Sequence, residues 1–286
     1  MSKFSIAILL SLYFLSLHSQ AYVGSVSAAT GESGRAAVEA SESPFGNPAA
    51  LAFLTGYYFS AGFGSSKQTN LGSAQDVALS LTDNMKDTVL PTSFSYVQRT
   101  TVPTGAGENV FQRDLKLSFG NFIREGLGFG LAVNHEDDRL ASDHFTQTNV
   151  QAGFLFAPSK EFGAAVVFDN ILPVSAGLPE AYRLKQTTAI GASYNFKRFV
   201  RVKADVITDS GNSLARPALA AGMESYMNRW LVLRWGVGRN NETDSSLYTA
   251  GIGFLGPKFA LNYAFQNSPQ NESLTRHSVD LAVPIW

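Results

Sequence analysis

From Thr55 to the end of the chain, large apolar residues recur at every second position, in one segment of about ten residues after another. Leu127, Phe129, Leu131 and Val133 alternate with Gly128, Gly130, Ala132 and Asn134. Tyr248, Ala250, Ile252 and Phe254 alternate with Thr249, Gly251 and Gly253, and Phe259, Leu261, Tyr263 and Phe265 with Ala260, Asn262, Ala264 and Gln266. A period of two puts successive side chains on opposite faces of a strand. In a soluble sandwich the second face meets water and carries Lys and Glu. Here the second face is glycine, alanine, serine and asparagine, and charged residues are only 16% of the chain. A large apolar face against a small one fits lipid outside and a lumen inside. Strands in a bilayer must then close on themselves, because an open edge strands backbone polar groups in hydrocarbon. Aromatics toward the segment ends (Tyr57 and Phe63, Tyr194 and Phe196, Phe259 and Phe265) fit interfacial girdles.

Counting from Thr55, the alternation predicts strands near 55–64, 74–82, 91–98, 109–120, 126–134, 146–156, 162–169, 182–196, 199–207, 216–226, 229–238, 246–255, 258–265 and 275–286. These are fourteen, an even number, as single-chain outer-membrane barrels have. The connections divide into two sets. The odd-numbered ones, such as 65–73, 99–108, 135–145 and 170–181, are longer. The even-numbered ones, such as 121–125, 197–198 and 227–228, are short, with 83–90 the exception. Long outer loops and short periplasmic turns follow if both ends of the barrel domain lie on the periplasmic side. The expected fold is all-β: a closed antiparallel transmembrane β-barrel of about 14 strands, with an N-terminal hatch or plug segment.

The first residues read as a secretory leader. Met1-Ser-Lys3 is a positive n-region, Phe4–Leu17 an apolar run, and Ser19-Gln20-Ala21 a small-x-small cleavage site. The apolar run is 14 residues long, too short to cross about 30 Å as a helix. The expected division is therefore a signal peptide at 1–21, a hatch segment at 22–54 and the barrel at 55–286. The chain has no cysteine, so neither a lipidated N-terminus nor a disulfide framework is available. Near balance of charge, 22 basic against 23 acidic residues, gives no field for nucleic acid. The expected partners are outer-membrane lipid and the barrel-assembly machinery, reached through the C-terminal strand that ends on Trp286.

Parity also sorts the charges. Asp114 and Lys116, Arg183 and Lys185, Arg201, Lys203 and Asp205, Arg234, and Asp280 each lie opposite an apolar face. A charge in mid-bilayer costs about 2–4 kcal/mol, so all of these are expected to face the lumen. They form either a polar channel with a ladder for an anionic head group or a salt-bridge network that fills the lumen and fixes register. The inner-face glycines Gly62, Gly128, Gly130, Gly191, Gly222, Gly236 and Gly251 leave space for a hatch or a ligand. Catalysis is not expected. The histidines beyond the leader, His135, His144 and His277, show no arrangement with a nucleophile, and the acidic stretch around His135 and His144 reads as a hydrated loop tip. No cofactor or metal site is expected.

Residues 22–54 do not alternate. They are rich in small residues and hold Pro44 and Pro48, which break any strand. Their small apolar composition points to a folded plug in or beneath the lumen. The run Gly31, Gly34, then Ser43-Pro44-x-x-Asn47-Pro48-Ala49-x-Leu51, followed by fourteen strands, resembles the FadL-like outer-membrane superfamily. That superfamily includes long-chain fatty-acid and aromatic-hydrocarbon transporters and the PorV-type barrels of secretion systems. The resemblance implies that Gly31, Gly34, Ser43, Pro44, Asn47, Pro48 and Leu51 belong to a hatch. It implies passive uptake of small hydrophobic or amphipathic, fatty-acid-like molecules, or alternatively a scaffold barrel that engages a secreted or envelope protein. The chain departs from the transporters in its short outer loops, and Pro284 interrupts the terminal assembly signal.

Overall fold

The computed structural model describes residues 22–69, 72–85, 87–105, 108–140, 143–173, 178, 182–197, 199–209, 216–270 and 274–285. The expected leader and Trp286 lie outside these residues. The described chain begins with a short helix α1 (Ser25–Ala29), a second, α2 (Ser43–Gly46), and a 3-10 helix (Pro48–Phe53). Fourteen strands follow: β1 (Gly56–Gln68), β2 (Gly72–Asn84), β3 (Thr92–Pro103), β4 (Val110–Arg124), β5 (Leu127–Leu140), β6 (Asp143–Phe156) and β7 (Phe162–Asp169). The second half comprises β8 (Thr187–Phe196), β9 (Val200–Asp209), β10 (Ala218–Tyr226), β11 (Leu231–Asn240), β12 (Ser245–Leu255), β13 (Ala260–Ser268) and β14 (Leu274–Ile285).

Each strand pairs antiparallel with its neighbours in sequence, and β1 closes on β14 from Tyr57 opposite Ile285 to Gln68 opposite Leu274. Closure removes both sheet edges, which hydrocarbon would not tolerate. The outward residues form an apolar skin in which Phe63, Leu79, Phe94, Leu117, Ile190, Val202 and Trp235 stay exposed on the isolated chain. Inward residues on the same strands are small or polar and buried, among them Ser60, Ser80, Lys203, Glu224 and Asp280. Burial is therefore inverted relative to a soluble domain: the large apolar side chains are outside, where lipid would cover them.

Several boundaries differ from the sequence expectation, mostly at the outer rim. Residues 135–145 are not a loop. β5 and β6 stay paired up to Leu140 opposite Asp143. Polar cross-strand partners sustain the ladder there: His135 Nδ1 lies 2.9 Å from Thr148 Oγ1, and His144 Nε2 lies 2.5 Å from Asp137. Strands that rise into water lose apolar alternation without losing their backbone hydrogen bonds. The opposite error occurs before β8, which starts at Thr187 and not at 182. Arg183 and Lys185 consequently belong to an outer connection and are exposed, so they do not face the lumen. Arg183 Nε donates to Leu178 O at 2.8 Å, and Lys185 Nζ lies 3.7 Å from Asp209 and 3.9 Å from Glu242.

Candidate functional site

Residues 22–54 lie inside the barrel and run round its inner wall. Tyr22 sits against Gly62 of β1. Ser25 on α1 donates its backbone N–H to Asp280 Oδ2 of β14 at 3.0 Å, and its hydroxyl reaches the same oxygen. Thr249 of β12 accepts from Gly31 N and donates to Ala29 O, both at 2.9 Å. Gly34 N and Arg35 N donate to Asp205 Oδ2 of β9 at 2.8 and 3.2 Å, and Ser193 of β8 donates to Ala36 O at 2.9 Å. The chain then crosses the lumen. Lys116 Nζ donates to Phe45 O at 3.0 Å, and the 3-10 helix lies along β4 and β5. Asn84 of β2 holds the exit by donating to Leu51 O at 2.9 Å and to Leu54 O.

The wall is shaped for this segment by absence of side chains. A Cβ at Gly236 would run into the backbone of Thr30 and Gly31, one at Gly222 into Thr30, and one at Gly130 into Pro48 and Ala49. The other inner glycines noted above also meet the segment: Gly62 meets Tyr22, Gly128 meets Phe53, Gly191 meets Arg35 and Ala36, and Gly251 meets Ala29. Gly31 itself has φ +70°, and a Cβ there would strike the carbonyls of Val237 and Ala221. Glycine is required on both sides of that contact. The inner glycines are thus sockets for the chain's own N-terminal segment.

The hatch residues named from sequence divide by role. Asn47 caps the 3-10 helix by accepting from Ala49 N at 3.0 Å, and its Nδ2 donates to Arg35 O at 2.9 Å, tying the two passes of the segment together. Pro48 starts that helix, where a missing N–H costs nothing. Ser43 Oγ accepts from Glu39 N at 3.1 Å, Pro44 O faces Ser118, and Leu51 is fully buried. Replacing Asn47 by alanine removes a cap worth about 0.5–2 kcal/mol. The expected outcome is tryptic cleavage at Arg35 under milder conditions than in the parent protein, with the barrel itself unaffected.

Lumen charges are joined in a relay anchored on the segment at both ends. Asp280 takes Ser25 at one side and accepts from Asn262 Nδ2 at 2.8 Å; Asn262 Oδ1 accepts from Arg234 Nη1 at 2.8 Å. Arg234 and Lys203 each lie 2.9 Å from Glu224, Arg201 lies 3.4 Å from it, and Arg201 also pairs with Glu39 of the segment. A branch links Arg35 to Asp205 at 3.1 Å. Across the barrel, Arg99 and Arg276 converge on Asp76 at 2.5 and 3.1 Å. Asp114 faces inward on β4, with its backbone position opposite Glu136. Glu224, Asp76, Arg276, Glu39 and Thr249 were not singled out by sequence. Parity marks the strand members as inward, but only the fold shows what they meet.

Glu42 lies inside the segment and accepts from Ser27 N at 2.8 and 3.0 Å and from the Ser27 hydroxyl at 2.5 Å. Burial pushes its carboxyl up to about 7, and nearby Asp280 adds to the shift. A docked Glu42 holds its proton to about pH 7, while a freed one releases it near 4.5. Docking is therefore at full strength below that lower value and weakens as pH rises through 7. Hydrogen exchange of residues 22–54, corrected for intrinsic rates, should quicken between pH 5 and 8, and Glu42→Gln should flatten the dependence.

The segment encloses a cavity of about 60 Å³, lined by its own Ser27, Glu32, Arg35, Glu39 and Glu42. Ligand sites for molecules of drug size occupy about 300–1,000 Å³. The lumen as it stands has no such space there.

No family model matches the sequence, and no curated protein does. Solved structures do match. The toluene transporter TbuX of Ralstonia pickettii superposes with a TM-score of 0.72 at 13% identity, over 94% of this chain and 100% of that one. The toluene transporter TodX of Pseudomonas putida gives 0.71 at 12% identity, over 92% and 98%. A Pseudomonas aeruginosa FadL homologue gives 0.68 at 10% identity, over 92% and 98%. With its apolar outer skin and closed fourteen-stranded sheet, the chain has the fold of these FadL-like barrels.

Proposed function

We propose that the protein is a gated passage for small amphipathic molecules across the outer membrane, with residues 22–54 as the hatch. The observation that carries the reading is a lumen filled by a segment the wall is contoured to receive, held by polar bonds and by small apolar clusters. A barrel meant only as a scaffold needs no socketed interior. The buried apolar side chains of the segment are mostly alanine, so leaving the wall exposes less apolar surface than a core of large side chains would. The fold shared with toluene transporters supports passage of a compound with an apolar part. The polar lumen, with Glu224, Arg234, Lys203 and Asp280 all buried in the wall, supports a cargo that also carries a polar group.

The test uses decanoate as probe. Proteoliposomes holding the protein should take up labelled decanoate faster than protein-free vesicles after correction for passive flip, and faster still when the hatch is loosened. Uptake equal to that of empty vesicles in every variant would overturn the reading. A protein partner recovered in stoichiometric amount, with uptake unchanged on deletion, would favour the scaffold alternative.

A further inference from the structure

The hatch is gripped unevenly. Toward β4–β6 and β8–β13 it presses backbone against socket glycines and bonds to Thr249, Asp205 and Ser193. Toward β1–β3 it is held at the exit by Asn84 and meets Gly62 through Tyr22, but between these the wall is different. Ser60, Ser80 and Ser95 stand side by side in register on three neighbouring strands, Ser60 opposite Ser80 and Ser80 opposite Ser95. All three are buried, at 4%, 4% and 1% exposure, and none of their hydroxyls has a hydrogen-bond partner among the described residues. A buried hydroxyl without a protein partner is costly unless water or a solute satisfies it. Ser60 and Ser80 border a cavity of about 10 Å³, close to the volume of one water, which Asp280 also lines and whose hatch side is made by Tyr22, Ser41 and Phe45.

Above this serine row the slot is closed by aromatic packing. Tyr22 and Phe45 meet edge-on with ring centroids 4.8 Å apart, and Phe45 packs on Ala78 and Val97 of the same two strands. Higher still lies the Asp76 layer with Arg99 and Arg276. We infer that the axial path through this barrel runs between the hatch and the inner wall of β1–β3, with the Tyr22–Phe45 pair as its closure and Ser60, Ser80 and Ser95 as its hydrogen-bonding lining. The solute class it suits is small and hydroxyl- or carboxyl-bearing, because a purely aliphatic body would leave the row of hydroxyls unpaired. The gripped side then acts as hinge and the serine side as slot.

This inference rests on the gated-passage reading, and the test separates the two. The chain lacks cysteine, so single cysteines report position cleanly. The probe is glycerol entry into proteoliposomes, read as swelling, with a charged methanethiosulfonate as blocker. Phe45→Ala should raise the swelling rate about tenfold, since losing an aromatic pair and its buried area shifts an open–closed balance by that order. Treating Phe45→Ala/Ser80→Cys with the blocker should abolish the gain. The same treatment of Phe45→Ala/Ala220→Cys should not, because Ala220 is an inner residue of β10, seven strands round the ring from β3. If Phe45→Ala disrupts the barrel, Ser80→Cys alone suffices: it should be labelled by the reagent, and Ala220→Cys should not. Equal labelling, or block at Ala220 and not at Ser80, would overturn the slot. Gly222→Val displaces the hatch from the gripped side. Swelling in that variant but not in Phe45→Ala refutes the slot and keeps the gate, whereas swelling in neither refutes both.

Discussion

Replacing Gly236 by valine is expected to expel the hatch while the barrel stays folded. The added Cβ points at the backbone of Thr30 and Gly31, which no rotamer change can move. One of the two partners must give way. β11 is paired along its length with β10 and β12, so the wall is fixed by its ladders. Valine also suits a strand better than glycine does. The hatch has side-chain bonds, single backbone bonds and small apolar contacts to yield, and no ladder. Overpacking of this kind costs about 1–3 kcal/mol, which changes a docked–undocked ratio by about 5- to 150-fold. Decanoate uptake should rise accordingly, and trypsin should cut after Arg35, whose guanidinium is otherwise paired with Asp205. Heat-modifiable migration on a gel should be retained. Protection of Arg35 equal to that of the parent protein would show that the socket is not tight.

The second large effect is expected at Glu224. This carboxylate is wholly buried and is shared by Lys203, Arg234 and Arg201. Glu224→Gln keeps the shape and removes the charge, taking the carboxylate from Lys203 and Arg234 while Arg201 keeps Glu39 of the hatch. Breaking a buried ion pair by removing one partner costs about 3–5 kcal/mol, because the remaining charge is left uncompensated. The variant should unfold at a clearly lower temperature in the gel-shift assay. A double change, Glu224→Gln/Arg234→Met, should recover part of the loss, since the surplus of positive charge then falls by one. An unaltered unfolding temperature in the single variant would mean that the relay is hydrated and contributes nothing to register.

The barrel was legible through period-two alternation with a weakly charged second face, a local property that one strand displays without its partners. The expected contrast of long and short connections does not hold throughout, since β1 and β2 pair up to Gln68 opposite Gly72 and β5 and β6 up to Leu140 opposite Asp143. Boundaries were harder to place at the outer rim. His135, Asp137 and His144 read as loop because polarity replaces the apolar face there, yet cross-strand pairs keep β5 and β6 together beyond the apolar band. Arg183 and Lys185 alternate plausibly with Tyr182 and Leu184 but precede the point where β8 finds its ladder. The hatch was legible only as something that is not strand, named through Asn47-Pro48. Its seat was not legible, because Thr30 against Gly236 or Ser25 against Asp280 joins residues more than two hundred positions apart. Nothing in the spacing of either residue announces the other. Inner glycines were seen as space, and what fills the space came from the fold.

The central claim is that residues 22–54 move to allow passage. Hydrogen exchange across this segment, measured in proteoliposomes with and without a decanoate gradient, tests it most directly. The account predicts that exchange at the Ala29–Arg35 amides quickens while decanoate is entering and that the β1–β14 ladder stays protected. Decanoate entry with exchange in the hatch unchanged would contradict it.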